Sequence, residues 1–147
     1  MNYQHKILIV DDEKSACQFI ADLVSNYLPS AIITQINNPV TALTCLQNEN
    51  FDMLFLDIQM PEMSGFELLE RVKSFGKDPY TVIITAHRKF NYAVKGIELG
   101  VAEYITKPLY DEKIYEALQM YLQKIKSICL IIKQLRYVLD IRVSIKA

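Results

Sequence analysis

Five short, mainly apolar runs, each briefer than an ordinary helix, recur along the 147 residues and alternate with segments of helical period. They are Ile7–Val10, Ala31–Ile36, Phe51–Leu56, Thr81–Ile84 and Ala102–Ile105. Between the first two, Ala16, Phe19, Ile20, Leu23, Val24 and Tyr27 recur on one helical face until Pro29 stops them. Asn38 before Pro39 opens a second helix, to about Asn48, because Asn accepts from the free N–H groups of a first turn and proline suits that turn. Leu68, Leu69, Val72 and Phe75 predict a third, closed by Gly76. A fourth, Phe90–Leu99, is weaker, since Gly96 inside it costs about 1 kcal/mol relative to Ala. Lys107-Pro108 leads to a last helix from about Tyr110.

Runs that are apolar almost throughout belong to strands covered on both faces, and strict alternation of strand and helix calls for parallel pairing. The fold class is therefore α/β, a doubly wound five-stranded parallel sheet. Right-handed crossovers leave few strand orders, the flavodoxin-like order 2-1-3-4-5 among them. An extended C-terminal helix completes the chain.

Apolar residues make up 51% of the sequence, enough for a proper core. Sixteen Lys and Arg face 17 Asp and Glu, a net charge of −1 that excludes wholesale binding to nucleic acid or to an anionic membrane. The three cysteines, Cys17, Cys45 and Cys129, show no pairable pattern, which argues against a disulfide framework and for a reducing compartment. Ile7–Val10 and Ile128–Ile132 are too short for a signal-peptide core or a membrane span. The reading is a cytoplasmic protein without a membrane partner.

In doubly wound sheets ligands bind beyond the carboxyl ends of the strands. Asp11 and Asp12 follow the first strand, Asp57 the third, Thr85 the fourth and Lys107 the fifth. Three crowded carboxylates raise one another's pKa unless a cation neutralises them, and Mg²⁺, which takes oxygen ligands and keeps several waters, is the natural cation. Added to Lys and Thr, it makes a place for a dianionic phosphoryl group, where a carboxylate can act as nucleophile and become an acyl phosphate. Taken singly, Asp11 or Asp12 is a helix cap, Asp57 the start of a turn, Thr85 a strand former and Lys107 a solvated loop lysine. Their joint placement on four strand ends is what points to chemistry.

The segments Ile7-Leu8-Ile9-Val10-Asp11-Asp12-Glu13, Leu56-Asp57-Ile58-Gln59-Met60-Pro61-Glu62-Met63-Ser64-Gly65, Ile84-Thr85-Ala86 and Tyr104-Ile105-Thr106-Lys107-Pro108-Leu109 resemble the response-regulator receiver family over roughly residues 5 to 125. The resemblance implies that Asp57 accepts a phosphoryl group from a sensor histidine kinase. Asp12 is then a direct Mg²⁺ ligand, Asp11 acts partly through water, and the Gln59 carbonyl completes the site. Lys107 pairs with phosphoryl oxygens, and its bond to Pro108 is cis. Thr85 is the switch hydroxyl and Tyr104 the switch aromatic; drawing Thr85 toward the phosphoryl oxygen leaves room for the Tyr104 ring. The responding surface is the face of the fourth helix, fifth strand and fifth helix. Gln59 and His87 stand where the family tunes acyl-phosphate lifetime, His87 either aligning water or facing solvent. Ser64 departs from a frequent Asp, at a loop position of little consequence.

On this reading the chain is a signalling switch rather than an enzyme. It controls an output, transcription through a domain outside this chain, or it is a stand-alone receiver working by protein–protein contact. Nucleic acid is reached only through such an output domain. An aspartyl-phosphate phosphatase of the haloacid-dehalogenase type needs its two acids two residues apart after the first strand, where this chain has adjacent acids. A receiver that has lost phosphorylation lacks the acceptor, an acid or the lysine, and all are present. A flavin module needs a hydroxyl-rich loop where Asp11-Asp12-Glu13 would repel phosphate.

The expected division is residues 1–125 as the receiver and 126–147 as a helical extension or linker, which on the output-domain reading leads to a domain absent from this chain. Ile114, Leu118, Tyr121, Ile125, Ile128, Ile132, Leu135 and Leu139 alternate steps of four and three, a coiled-coil seam of about 3.5-residue period. Two readings stand: a homodimer through the last helices, or a linker whose first half packs on the sheet. Ile141, Val143 and Ile145 alternate with polar residues, as at the start of a strand.

Overall fold

A computed structural model describes residues 3–146. The chain alternates β1 (Lys6–Val10), α1 (Lys14–Tyr27), β2 (Ile32–Ile36), α2 (Pro39–Asn48), β3 (Met53–Asp57), α3 (Gly65–Ser74), β4 (Tyr80–Thr85), α4 (Phe90–Glu98), β5 (Glu103–Thr106) and α5 (Asp111–Lys146). The sheet runs β2-β1-β3-β4-β5, every pair parallel, as the alternation requires.

Because successive side chains of a strand point to opposite faces, the apolar runs feed two cores. Ile7, Ile9, Phe55 and Ile84 pack against α1 and the first turns of α5. Leu8, Val10, Leu54, Leu56 and Ile83 pack against α2 and α3. β1 and β3 are nearly sealed from solvent, each large apolar side chain contributing roughly 1.5–3 kcal/mol of burial.

The helix ends follow side-chain chemistry. Asn38 Oδ1 accepts from the N–H groups of Val40 and Thr41 at 2.9 and 3.1 Å, with Pro39 in the first turn. The other end of α2 is closed from a distance, by the Lys77 ammonium donating to the carbonyls of Leu46, Gln47 and Glu49. Gly76 ends α3 with φ +78°, a conformation glycine adopts without strain. Ser64 corrects the sequence reading, since its Oγ accepts from the Glu67 N–H at 3.1 Å and caps α3, a contact worth about 1 kcal/mol. In α4 only Gly96 is buried, and a Cβ there would stand 3.0 Å from Val101 Cγ2, so the glycine serves close packing.

At the lower end of the sheet α5 is tied down by a polar and aromatic cluster. His5 Nδ1 and the Tyr121 hydroxyl lie 2.6 Å apart, and Tyr80 packs edge-on against Tyr121. Asp52 accepts from the Tyr3 hydroxyl and the Lys6 N–H. Beyond this cluster α5 continues as an uninterrupted helix to Lys146. The strand start expected from Ile141 and Val143 is therefore absent: both lie within helix, where their alternation has no structural counterpart. The side chain of Ile145 lies outside the described residues. Among the described residues no helix is long and apolar enough to cross a membrane.

Candidate functional site

Sheet register brings the strand ends to one rim. Val10 is level with Leu56, Asp57 with Ile84, and Thr85 with Thr106. The next residues out are Asp11 and Asp12 on one side and Lys107 on the other. One carboxylate oxygen from each of Asp11, Asp12 and Asp57 lies within 4.8 Å of the others. Asp11 is 1% exposed and Asp57 4%, whereas Asp12 opens to solvent. Neither Asp11 nor Asp12 caps α1, whose N-cap position belongs to Glu13.

Lys107 is the counter-charge. Its ammonium stands 3.0 Å from Asp11 Oδ2, 3.0 Å from Glu13 Oε1 and 4.0 Å from Asp57 Oδ2. Burial works against its charged form, but the carboxylates of Glu13, Asp11 and Asp57 outweigh it and hold the lysine above its usual pKa. The acids respond oppositely. Burial, then the charge of Asp11, push Asp57 up to about 7, against Lys107 and the Gln59 N–H, which pull it down. Burial likewise raises Asp11.

Asp11 Oδ1 accepts the Glu13 N–H at 2.9 Å, while buried Oδ2 makes no hydrogen bond and meets the lysine only as an ion pair. Three carboxylates within 4.8 Å of one another, sharing the one ammonium of Lys107, suit a hard, oxygen-seeking cation, so the residues present fit Mg²⁺.

Thr85 is fully buried, and its Oγ1 accepts the His87 N–H at 3.1 Å. The half-buried Tyr104 donates its hydroxyl to the His87 carbonyl at 3.1 Å. Both residues read as the switch thus hold one peptide stretch after β4. The Lys107 N–H donates to the Thr85 carbonyl at 2.7 Å, and the Lys107-Pro108 bond is cis. Gln59 and His87 are exposed, and Gln59 Nε2 approaches the Tyr92 hydroxyl at 3.4 Å.

Two contributors have no role in the sequence reading. Glu13 shares Lys107, and its only signal is its place as third acid of Asp11-Asp12-Glu13. Gly65 sits so close to the acceptor strand that an added Cβ would stand 2.2 Å from the Asp57 carbonyl oxygen, while its N–H donates to Ile58 O at 2.8 Å. Only a glycine lets α3 begin against the acceptor's backbone.

Comparison with known proteins bears on the fold and the family. The chain is 34% identical over 113 residues to the sensory transduction protein LytT of Enterococcus faecalis, covering 77% of this chain and 46% of that protein. It is 32% identical over 119 residues to the transcriptional regulatory protein NatR of Bacillus subtilis, covering 81% and 50%. The matches thus span about half the length of these relatives. Its fold matches the CheY-like response regulator receiver domain protein of Methanospirillum hungatei with a TM-score of 0.77 at 22% identity, over 85% of this chain and 98% of that one. The sequence profile of the response regulator receiver domain matches residues 7–119, and the chain belongs to that family.

Proposed function

We propose that the chain is a phosphorylation-operated switch of a two-component system, with Asp57 as acceptor. The observation that carries this reading is the nearly buried Asp57 carboxylate, 4.0 Å from the Lys107 ammonium and grouped with Asp11 and Asp12. Receiver domains in general interact with histidine kinases and bind Mg²⁺ at their acidic pocket.

An Asp57 oxygen attacks the phosphorus of a kinase phosphohistidine; an O–P bond forms, the N–P bond breaks, and the imidazole departs with its electron pair and takes up a proton. Asp11, Asp12, Asp57 and the Gln59 carbonyl would hold the Mg²⁺, Asp12 directly and Asp11 partly through water. Bound there, the ion offsets charge on the transferred oxygens. Lys107 turns from the Asp11–Glu13 pair toward the phosphoryl group. Thr85 hydrogen-bonds a phosphoryl oxygen and gives up the His87 N–H, freeing the stretch that Tyr104 also holds. Carrying the population from mostly off to mostly on takes about 5 kcal/mol of differential interaction, in the range a buried dianion with a cation, an ammonium and a hydroxyl supplies.

The responding surface is α4, β5 and α5. It controls transcription through an output domain, with residues 1–125 the receiver and 126–147 the extension, working in the cytoplasm as a homodimer through the last helices. A stand-alone receiver acting by protein–protein contact is the second reading; in either, the chain is an acceptor, not a turnover enzyme. The test is incubation with acetyl phosphate and Mg²⁺: intact mass rises by one phosphoryl group, and Asp57→Asn abolishes the gain. An unchanged mass in the parent chain, or a gain that survives Asp57→Asn, overturns the reading.

A further inference from the structure

We propose that Glu13 is a positioning residue for Lys107: its carboxylate holds the ammonium in the resting site and competes for it with the phosphoryl group, so that Glu13 sets how much phosphoryl donor the switch requires. This rests on the acceptor reading above and adds the residue that sets its threshold.

Three carboxylates stand around the Lys107 ammonium, Asp11 Oδ2 and Glu13 Oε1 at 3.0 Å each and Asp57 Oδ2 at 4.0 Å. Asp11 and Asp57 also belong, with Asp12, to the set that fits Mg²⁺, and Glu13 does not. With Asp11 and Asp57 committed to a divalent cation, Glu13 is the carboxylate in contact with the lysine whose charge is left for the ammonium alone. Although Glu13 occupies the N-cap position of α1, its side chain makes no capping bond there, and its carboxylate is given to the lysine instead.

The two close partners differ in what they lose when the lysine leaves. Asp11 is 1% exposed, and a buried carboxylate without a cation is costly. The Glu13 side chain is 61% exposed and returns to water at little cost. Of the two contacts, the one with Glu13 is therefore the one a dianion can break, and it re-forms when the dianion is gone.

Lys107 can answer only with its side chain. Its N–H donates to the Thr85 carbonyl at 2.7 Å, which holds the backbone at the end of β5. The four-carbon stem is flexible and the ammonium carries three donors. A phosphoryl group on Asp57 must draw at least one donor away from its resting partners. While Glu13 is charged, that group has a carboxylate to displace; without the charge, the ammonium is available to it at once.

The test uses the full chain at saturating Mg²⁺. Glu13→Gln keeps the shape of the side chain and removes its charge, and circular dichroism should not change. Beryllofluoride, titrated by NMR, should bind about two- to fivefold tighter, and the mass gain from subsaturating acetyl phosphate should rise by a similar factor, the range an exposed ion pair supplies. The gain should shrink toward about 1 M salt, where charges are screened within roughly 3 Å, a dependence that a purely structural role would not show. In a Lys107→Ala background, Glu13→Gln should leave the mass gain as it was, because there is no ammonium to release. An unchanged beryllofluoride affinity, or a rise in mass gain as large without Lys107 as with it, overturns the inference and leaves the acceptor reading standing; the second outcome makes Glu13 a simple repelling charge. No mass gain in the parent chain overturns the acceptor reading, and this inference with it.

Discussion

The ammonium of Lys107 lies 3.0 Å from Asp11 Oδ2, a buried oxygen that makes no hydrogen bond. The lysine therefore does structural service in the resting site before it meets any phosphoryl group. Lys107→Ala leaves Asp11 and Asp57 facing each other without a cation. Removing one member of such a buried pair is expected to cost about 2–4 kcal/mol in metal-free urea unfolding, somewhat less if water enters the gap. Mg²⁺ recovers part of the loss. Phosphoryl uptake by mass persists at reduced rate, while the beryllofluoride-induced NMR shifts of α4 and β5 disappear.

Asp57 sets the pH dependence of the metal-free protein. Its folded pKa, pushed up to about 7 by burial and by Asp11, exceeds the ordinary 3.8. Between those values the folded chain holds a proton that the unfolded chain does not. Its contribution to stability therefore falls as pH rises through that window and is fully unfavourable above it. Asp57→Asn removes the group, so the variant should be more stable than the parent at pH 8, by roughly 1–2 kcal/mol once relaxation of the site is allowed for. The difference should shrink toward zero near pH 4. Urea titrations at several pH values with EDTA check this, and a gap independent of pH would contradict it.

Gly65→Ala puts a methyl where the Asp57 carbonyl oxygen stands. The clash is with backbone and cannot be relieved by a rotamer change, so either α3 or the acceptor loop must move. A loss of about 2–3 kcal/mol is expected, with weaker Mg²⁺ binding by calorimetry. An alanine variant of parental stability and Mg²⁺ affinity would mean the loop gives way freely.

Tyr104→Phe keeps the ring and deletes only the bond to the His87 carbonyl. Stability should drop by about 1 kcal/mol or less, because the hydroxyl is near solvent. Phosphoryl uptake should be unaffected. Hydrogen exchange in α4 should be faster before phosphorylation and change less upon it. Identical exchange in the two proteins would remove Tyr104 from the coupling route.

Much of this was legible because strand ends are read in order. Asp11, Asp12, Asp57, Thr85 and Lys107 each follow an apolar run, and a parallel sheet must bring such positions to one rim. What escaped notice depends on approach between distant segments. Gly65 looks like any turn glycine until α3 is placed against Asp57, and Lys77 like a surface lysine until the end of α2 lies beneath it. Ser64 as a cap was readable, being a serine three residues before a glutamate at a helix start. Ile141 and Val143 misled because a two-residue alternation over so short a stretch also fits a helix whose faces are all apolar in part.

The order in which the rim is supplied has a consequence for biosynthesis. β1 and β3, neighbours at the middle of the sheet, deliver all three aspartates, whereas the cation found among them in the described residues comes from the end of β5, an edge strand and the last strand to leave the ribosome. A nascent chain halted before residue 107 holds the acid cluster without the ammonium that pairs with Asp11 and Asp57. The final edge strand thus completes the charge balance at the centre of the molecule, and docking it is a step that ambient divalent ions should assist.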